Sequence, residues 1–226
     1  MAKLITHLFS NDKKLHRLVR SHLVSTTTEL ASTKPINEIK IEDVASHARV
    51  SKGTFYKCFR SVDDLLNTSA KQAAHELLAP IVLEGATIPD IATRMATKTR
   101  LAIRLFTRMP ILAKLMLKTE WPFRDVKHKG YRDIQHDLAL GIEQGCFTNM
   151  PLEIGVNLVI STLRGAVQDI IDSRLNQGYE DLVIYHLLLS LGVESKTAKE
   201  ISEIPLDQLP PLKKRGIVGK FLNLVA

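Results

Sequence analysis

The sequence predicts an all-α protein with an N-terminal three-helix head, which contains a helix-turn-helix, and a larger C-terminal helical body. Apolar residues recur at helical spacing along most of the 226-residue chain, and no stretch shows the alternation of a half-buried strand. Proline and glycine interrupt the helical patterns, as is typical of short connections between packed helices. With 45% hydrophobic residues the chain can bury one sizeable core or two modest ones.

The predicted head begins with a helix over residues about 12–32, where leucine and valine recur at helical spacing until Lys34-Pro35 ends the pattern. A short amphipathic helix follows from Ile41, with Glu42 and Asp43 in its first turn, where the helix dipole favours acidic side chains. We expect the first helix to pack across the back of the helix-turn-helix that starts here.

The third predicted helix begins after a turn, and Ser51 is a good N-cap for it. Phe55 and Phe59 are expected in the core, which leaves the basic and hydroxyl-bearing side chains of the same helix outside. A second helix of this kind is the one that enters the major groove of DNA in helix-turn-helix proteins.

The residues that carry the motif are Val44-Ala45, Ala48-Arg49-Val50-Ser51, Gly53-Thr54-Phe55-Tyr56, Phe59, Ser61 and Leu65. This segment, over residues about 13–66, resembles the DNA-binding head of the TetR/AcrR family of bacterial transcriptional regulators. Three positions depart from the family pattern: Arg49 replaces the turn glycine, Cys58 replaces a His or Tyr, and Val62 replaces a lysine that helps hold the DNA backbone. The resemblance implies a dimeric regulator whose helical body binds a small effector.

Candidate DNA contacts follow from the resemblance and from side-chain chemistry. Lysine and arginine suit phosphates, hydroxyl and aromatic groups reach bases or backbone, and Gly53 is expected to let the start of the helix approach DNA closely. The predicted DNA-binding residues are Lys40, Ser51, Lys52, Gly53, Thr54, Tyr56, Lys57 and Arg60.

The charge distribution favours the same interpretation. Residues 1–60 hold 11 Lys and Arg against 5 Asp and Glu, whereas the other 166 residues hold 20 against 19. We therefore expect only the head to meet a polyanion, namely double-stranded operator DNA. Two cysteines are too few for a disulfide framework, and no leader or long uncharged apolar run is visible, so a cytoplasmic protein without a membrane partner is expected.

The remaining helical patterns define a predicted domain organisation. A helix from Ser61 to about Leu78 links head and body, and further helices are predicted at about 89–108, 110–118, 123–145, 151–175 and 178–191. The predicted domains are a helix-turn-helix DNA-binding domain at 1–62, a helical effector-binding and dimerisation domain at 63–204, and a C-terminal tail at 205–226, which is expected to dock on the body.

A homodimer is expected because the last two long body helices have broad apolar faces, and because in the resembled family these helices pair across a two-fold axis. A dimer also supplies two heads for two half-sites, because a single small head makes too few base contacts for operator specificity. The predicted interface residues are Val156, Val159, Leu163, Val167, Ile170, Leu182, Tyr185, Leu188 and Leu189.

An effector site is predicted inside the body. Residues 91–119 contain seven Lys and Arg and no Asp or Glu, and the helical pattern sets this basic side against a soft apolar side. We expect an effector with an apolar body, either without a charge or with an anionic end that pairs with an arginine. The alternative interpretation of this pattern is a solvated basic face over an ordinary core. The predicted ligand contacts are Met95, Phe106, Met109, Met116, Trp121, Tyr131, Arg104 and Arg108.

Two other classes of function stay open at this point. One is an effector-independent architectural DNA-binding protein, and the other is a helical-bundle enzyme without a recognisable motif. No nucleophile elbow, phosphate-binding loop or dinucleotide fingerprint supports an enzyme. His128, Asp133, His136 and Asp137 could share a helix face, but this spacing favours a solvated charged face over a metal site, so neither metal nor cofactor is expected.

Overall fold

The structure is a computed structural model that describes residues 13–174, 178–206, 209, 211–212 and 216–225, the last five of these by their backbone. Within these residues the chain forms α-helices and two 3-10 turns, Ile36–Glu38 and Pro122–Arg124, and no strand. The all-α fold class is confirmed. The helices are α1 (Lys13–Thr33), α2 (Ile41–His47), α3 (Lys52–Cys58), α4 (Val62–Gly85), α5 (Ile91–Arg108), α6 (Pro110–Lys118), α7 (Lys129–Glu143), α8 (Leu152–Ile171), α9 (Tyr179–Ser190), α10 (Ser195–Ser202) and α11 (Gly216–Val225).

The head is built on α1, which packs against both helices of the helix-turn-helix. Its polar side chains bind carbonyls at the C-terminal ends of those helices. His22 Nε2 lies 3.2 Å from the carbonyl oxygen of Ala48 after α2, and Arg20 donates to the carbonyl of Cys58 in α3 at 2.5 Å. Helix ends leave such carbonyls without an intrahelical partner, so these contacts fix the orientation of α2 and α3 on α1.

The head continues into the body through α4 without a break. Ser61 caps this helix by accepting the backbone N–H of Asp64 at 3.1 Å, as the sequence predicts. The prediction that it ends near Leu78 is wrong, because α4 runs through Pro80 to Gly85. Proline removes one backbone hydrogen bond, but the next residue, Ile81, is fully buried and holds the following turn in the core.

In the body, α4 packs against α5, α6 and α7, while α8 and α9 pack against α5 and against each other. Helix α8 contacts α5, α6, α7 and α9, and α6 also reaches back to α1 and to the turn Ile36–Glu38. The buried apolar side chains of head and body form one continuous cluster, from Leu23 to Val218. Head and body therefore share a core, although the proposed boundary at residue 62 stays a prediction.

The C-terminal tail ends in α11, which contacts both α1 of the head and α4. Lys220 Nζ lies 2.8 Å from Glu29 and 2.6 Å from Ser25, both in α1, and the hydrogen bond from Lys220 lowers the pKa of the Glu29 carboxyl. The carboxylate of Glu76 in α4 accepts the backbone N–H of Val218 at 3.0 Å. The tail thus bridges the head and the connecting helix.

Removing the buried side chain that anchors the tail tests this arrangement. Ile217 is 2% exposed, so Ile217→Ala is expected to lower the free energy of unfolding by about 2–5 kcal/mol, measured by urea denaturation. Ile204→Ala removes the same atoms from a side chain that is 40% exposed and should change it by less than about 0.5 kcal/mol. Equal losses in the two variants would show that α11 is not packed as described.

Candidate nucleic-acid interface and body cavity

Helix α3 is amphipathic in the way that a DNA-reading helix requires. Phe55 and Phe59 are buried, as predicted from the sequence, and they hold α3 against the rest of the head. Lys52, Tyr56 and Lys57 are exposed on the other side, and the Tyr56 side chain is 57% exposed although it is large and partly apolar. The outer side of α3 therefore presents positive charge and an aromatic hydroxyl to the solvent.

The start of α3 is fixed by a small hydroxyl network. Ser51 Oγ accepts the backbone N–H of Thr54 at 3.1 Å and lies 2.9 Å from Thr54 Oγ1. Thr54 is buried, unlike the other seven predicted DNA-binding residues, so its hydroxyl supports the N-cap. A Cβ on Gly53 would meet only Ser51 Oγ, at 3.7 Å, so the fold itself does not require glycine at this exposed position.

Lys52 forms an exposed ion pair across the turn. Its Nζ lies 2.5 Å from Glu42 Oε1 in α2, and this hydrogen bond raises the pKa of Lys52 and lowers that of Glu42. Solvent-exposed pairs of this kind contribute little to stability, so the lysine can exchange its carboxylate partner for a phosphate at small cost. The sequence pattern alone did not reveal this pairing.

Lys40 and Arg60 lie immediately before α2 and before the Ser61 cap of α4. Each donates its backbone N–H to a carboxylate in the first turn that follows, Lys40 to Asp43 at 2.7 Å and Arg60 to Asp64 at 2.9 Å. Both residues are exposed. Because the backbone is anchored, the two basic side chains have fixed origins at the edges of the helix-turn-helix.

The turn between α2 and α3 has an unusual backbone. Arg49 occupies the position where the resembled family has glycine, and its φ is +54°, in the left-handed region. A residue with a Cβ is strained there, whereas glycine is not. Arg49 in place of glycine therefore strains the backbone of this turn. Its guanidinium is exposed to the solvent.

The body contains a cavity of about 40 Å³ between α4, α5, α7 and α8. One part of its lining is polar: Lys98 Nζ of α5 lies 2.8 Å from Asp133 Oδ2 and 2.7 Å from Asp137 Oδ2, both in α7. Arg94, one turn before Lys98, lies 3.4 Å from Asp137 Oδ1. The rest of the lining is mostly apolar and includes Met95.

The predicted ligand residues do not form one pocket. Met95 lines the cavity, while Phe106, Met109, Met116 and Trp121 are buried in the core and Tyr131 is half-buried. Arg104 and Arg108 lie in a different, open cleft at the start of α9, where Arg104 forms an ion pair with Glu180. The expectation of arginines beside an apolar ligand pocket is corrected, because the acidic N-terminal turn of α9 engages Arg104.

The polar lining of the cavity was missed in the sequence, although a signal was present. Arg94 and Lys98 are four residues apart in α5, and Asp133 and Asp137 are four residues apart in α7. Two such pairs of opposite sign match when two helices pack side by side. The sequence pattern instead suggested a solvated face for Asp133 and Asp137, but both bind Lys98 and Asp137 is 2% exposed.

The predicted dimer residues also separate into two groups. Leu182 is exposed, and Ile170, Tyr185 and Leu189 are half-buried. The other five lie in the core of the single chain, where their side chains cannot reach a partner, so their assignment to an interface is corrected. They are Val156, Val159, Leu163, Val167 and Leu188.

The open side of α8 and α9 is a different surface. It carries a groove lined by Leu158, Thr162, Gly165, Ala166, Asp169, Tyr179, Leu182, Val183, His186, Leu187 and Ser190. Gly165 is exposed in mid-helix, and a Cβ there would meet nothing within 4 Å. Glycine in a helix interior is unfavourable by about 1 kcal/mol relative to alanine, so its presence suits a surface that another helix approaches closely.

Residues 23–68, which span most of the head and the first turns of α4, match the family model described as "Bacterial regulatory proteins, tetR family". The N-terminal domain of this chain belongs to the tetR family. The helix-turn-helix described above is therefore a DNA-binding head, and the chain is a DNA-binding transcription regulator. No curated protein matches the chain.

Solved structures of tetR-family regulators share the fold over the body as well. RolR with bound resorcinol has a TM-score of 0.67 at 20% identity and covers 88% of this chain and 100% of its own. A TetR-family regulator from Haemophilus influenzae Rd has a TM-score of 0.58 at 17% identity, and the match covers 79% of this chain and 99% of that chain. FadR from Bacillus subtilis in complex with stearoyl-CoA has a TM-score of 0.54 at 14% identity, and the match covers 82% of this chain and 98% of that chain. At these identities the likeness is one of fold.

Restoring the family's glycine tests the backbone of the turn. Arg49→Gly is expected to raise the free energy of unfolding by about 0.5–1 kcal/mol, because glycine adopts positive φ without a Cβ clash. Arg49→Ala removes the same charge but keeps the Cβ, and should leave stability close to wild type. Urea denaturation measures both, and destabilisation by Arg49→Gly would contradict the left-handed turn.

Proposed function

We propose that this tetR-family protein is a homodimeric, cytoplasmic repressor whose two α3 helices bind successive major grooves of a pseudo-palindromic operator, and that a small effector bound in the body releases it. DNA binding is supported by the outer side of α3, where Lys52, Tyr56 and Lys57 are exposed. Phe55 and Phe59 are buried on the opposite side. Exposed basic and aromatic groups on a rigidly held helix suit contacts to phosphates and base edges.

Several features support a short-range contact between α3 and DNA. Gly53 lies in the first turn of α3, is exposed, and has no role in the internal packing, so its lack of a side chain favours close approach of the helix start to the duplex. Lys40 and Arg60 lie at the two edges of the motif, and we propose them as phosphate anchors. Thr54 is proposed to act through the Ser51 cap that it shares.

The dimer is proposed to form through the open side of α8 and α9. Helix α8 is apolar and long enough to cross a membrane by length and composition alone, yet only 39% of its most apolar stretch is buried within the chain. A helix that packs on one side against its own core and on the other against a partner helix has this composition. Gly165 and Thr162 keep the open side smooth, and Leu182 supplies an exposed apolar contact.

An effector is proposed because two structural relatives carry small ligands, resorcinol in RolR and stearoyl-CoA in FadR, and because this chain has a cavity in its body. The two ligands differ so much in size and charge that the fold alone does not define the effector. The alternative, an architectural DNA-binding protein, needs no cavity with polar side chains, so the lining by Lys98, Asp133 and Asp137 favours regulation by a ligand.

DNA reading by α3 is tested on an operator selected from genomic fragments by binding to the whole protein. Lys52→Ala and Tyr56→Ala are each expected to weaken operator binding about tenfold or more in gel-shift titration, as loss of one specific contact does. Lys196→Ala, the same charge change at an exposed position of α10, serves as the control and should bind normally. Normal binding by both α3 variants would refute the proposed interface.

The dimer surface is tested by charge. Leu182→Glu is expected to yield a folded monomer in analytical ultracentrifugation, because it places a carboxylate in an apolar contact between subunits. Leu83→Glu introduces the same charge at another exposed leucine, on α4, and should stay dimeric. Val167→Glu should instead unfold the protein, because Val167 is fully buried within the chain. A dimeric Leu182→Glu protein would exclude this surface as the interface.

A further inference from the structure

We propose that the cavity between α4, α5, α7 and α8 binds a small neutral molecule, of the size of one substituted ring, that carries two or more hydroxyl or similar hydrogen-bonding groups. This inference rests on the proposed regulation by an effector and names the chemical class of that effector. An organic anion does not fit the charge balance described below.

The polar part of the lining excludes a net charge on the ligand. Lys98, Asp133 and Asp137 line the cavity, and Arg94 pairs with Asp137 outside the lining, so the cluster of two cations and two carboxylates is electrically balanced. The Lys98 and Asp137 side chains are only 11% and 3% exposed. An ion that entered here would lose its hydration without gaining an unpaired counter-charge, which makes binding of an anion or a cation unfavourable.

The same groups keep hydrogen-bonding capacity for a neutral ligand. The Lys98 ammonium has three N–H donors, two of which point to Asp133 and Asp137. A carboxylate accepts about four hydrogen bonds, so Asp133 also has free acceptor sites. A hydroxyl group can accept from Lys98 and donate to Asp133 at once, which is a pairing that an apolar ligand does not offer.

The apolar part of the lining suits a ring. Met95, Ile81 and Leu163 provide flexible aliphatic contacts, and Phe123 provides an aromatic one. The rings of Trp121 and His128 lie 5.2 and 5.7 Å from the Phe123 ring, centroid to centroid. Trp121 and His128 are not among the lining residues, so they act on the cavity through the Phe123 ring.

The size of the cavity links ligand binding to a movement of α4. A volume of about 40 Å³ holds a few water molecules, so a ring enters only if a wall moves. Leu78, Ile81 and Val82 of α4 form one wall. In addition, a Cβ on Gly85 at the end of α4 would lie 2.3 Å from Lys98 Cε, so a shift of the lysine is felt directly by the helix that carries the head.

The ligand class is tested with the full-length protein in the absence of DNA. Trp121 is the only tryptophan and lies beside Phe123, so its fluorescence reports binding. Resorcinol and catechol serve as neutral dihydroxylated probes, benzene as an apolar one, and benzoate and decanoate as anionic ones. The proposal predicts that the dihydroxylated probes bind at least about tenfold more tightly than the others, since each hydrogen bond to a charged group contributes about that factor. Equal or tighter binding of benzene, benzoate or decanoate overturns it.

Two variants locate the site. Asp133→Asn keeps the shape but removes the carboxylate, and it should weaken resorcinol binding about tenfold or more, whereas Asp63→Asn on the exposed first turn of α4 should not. Ala102 lines the cavity, so Ala102→Leu should abolish binding while the thermal unfolding midpoint stays or rises. Unchanged resorcinol binding in Asp133→Asn or in a folded Ala102→Leu protein overturns the assignment.

Two results would distinguish a failure of the proposed ligand class from a failure of effector release. If resorcinol binds in the cavity and the operator affinity does not change, the ligand site stands and effector release fails. If only decanoate frees the operator, effector release stands and the ligand class proposed here fails.

Discussion

The structure depends on α4, because this single helix is packed into the head at one end and into the body at the other. Leu65 near its start and Ile81 near its end are both fully buried, and its 24 residues span about 36 Å. A helix is stiff over this length, so the head cannot turn without a shift of α4 between its neighbours in the body. The contacts of α6 with α1, and of α11 with both α1 and α4, add to this constraint.

The basic side chains of α5 show how charge is used inside the body. Arg94 and Lys98 bind the aspartates of α7, while Arg100 is 4% exposed and donates to Asp181 of α9 at 2.7 Å. Removing two charges from water offsets most of the attraction between them, so such pairs contribute little net stability. Their geometric effect is to fix how α7 and α9 align along α5, and the two pairs that Lys98 forms border the cavity.

The head was predictable from sequence because each local signal agreed with the others. The Ser51 cap, the spacing of Phe55 and Phe59, and the Ser61 cap all act within a few residues, and all appear in the structure as predicted. The body was less predictable because α8 is apolar on more than one side. Periodicity cannot tell which apolar side meets its own core, so Val167 was assigned to a partner although it is buried within the chain. The packing of α11 depends on residues far away in sequence, which no local pattern encodes.

The head and the cavity are joined mechanically through α4, and hydrogen exchange of the dimer with and without its operator measures this coupling. DNA bound at α3 should then alter amide protection in α4 and in the cavity helix α7. Amide protection in α10 should stay unchanged and serves as the internal reference, because the main packing partners of α10 among the described helices are α5 and α9. Changes confined to α1, α2 and α3, with α4 beyond its first turns and α7 unaffected, would contradict it.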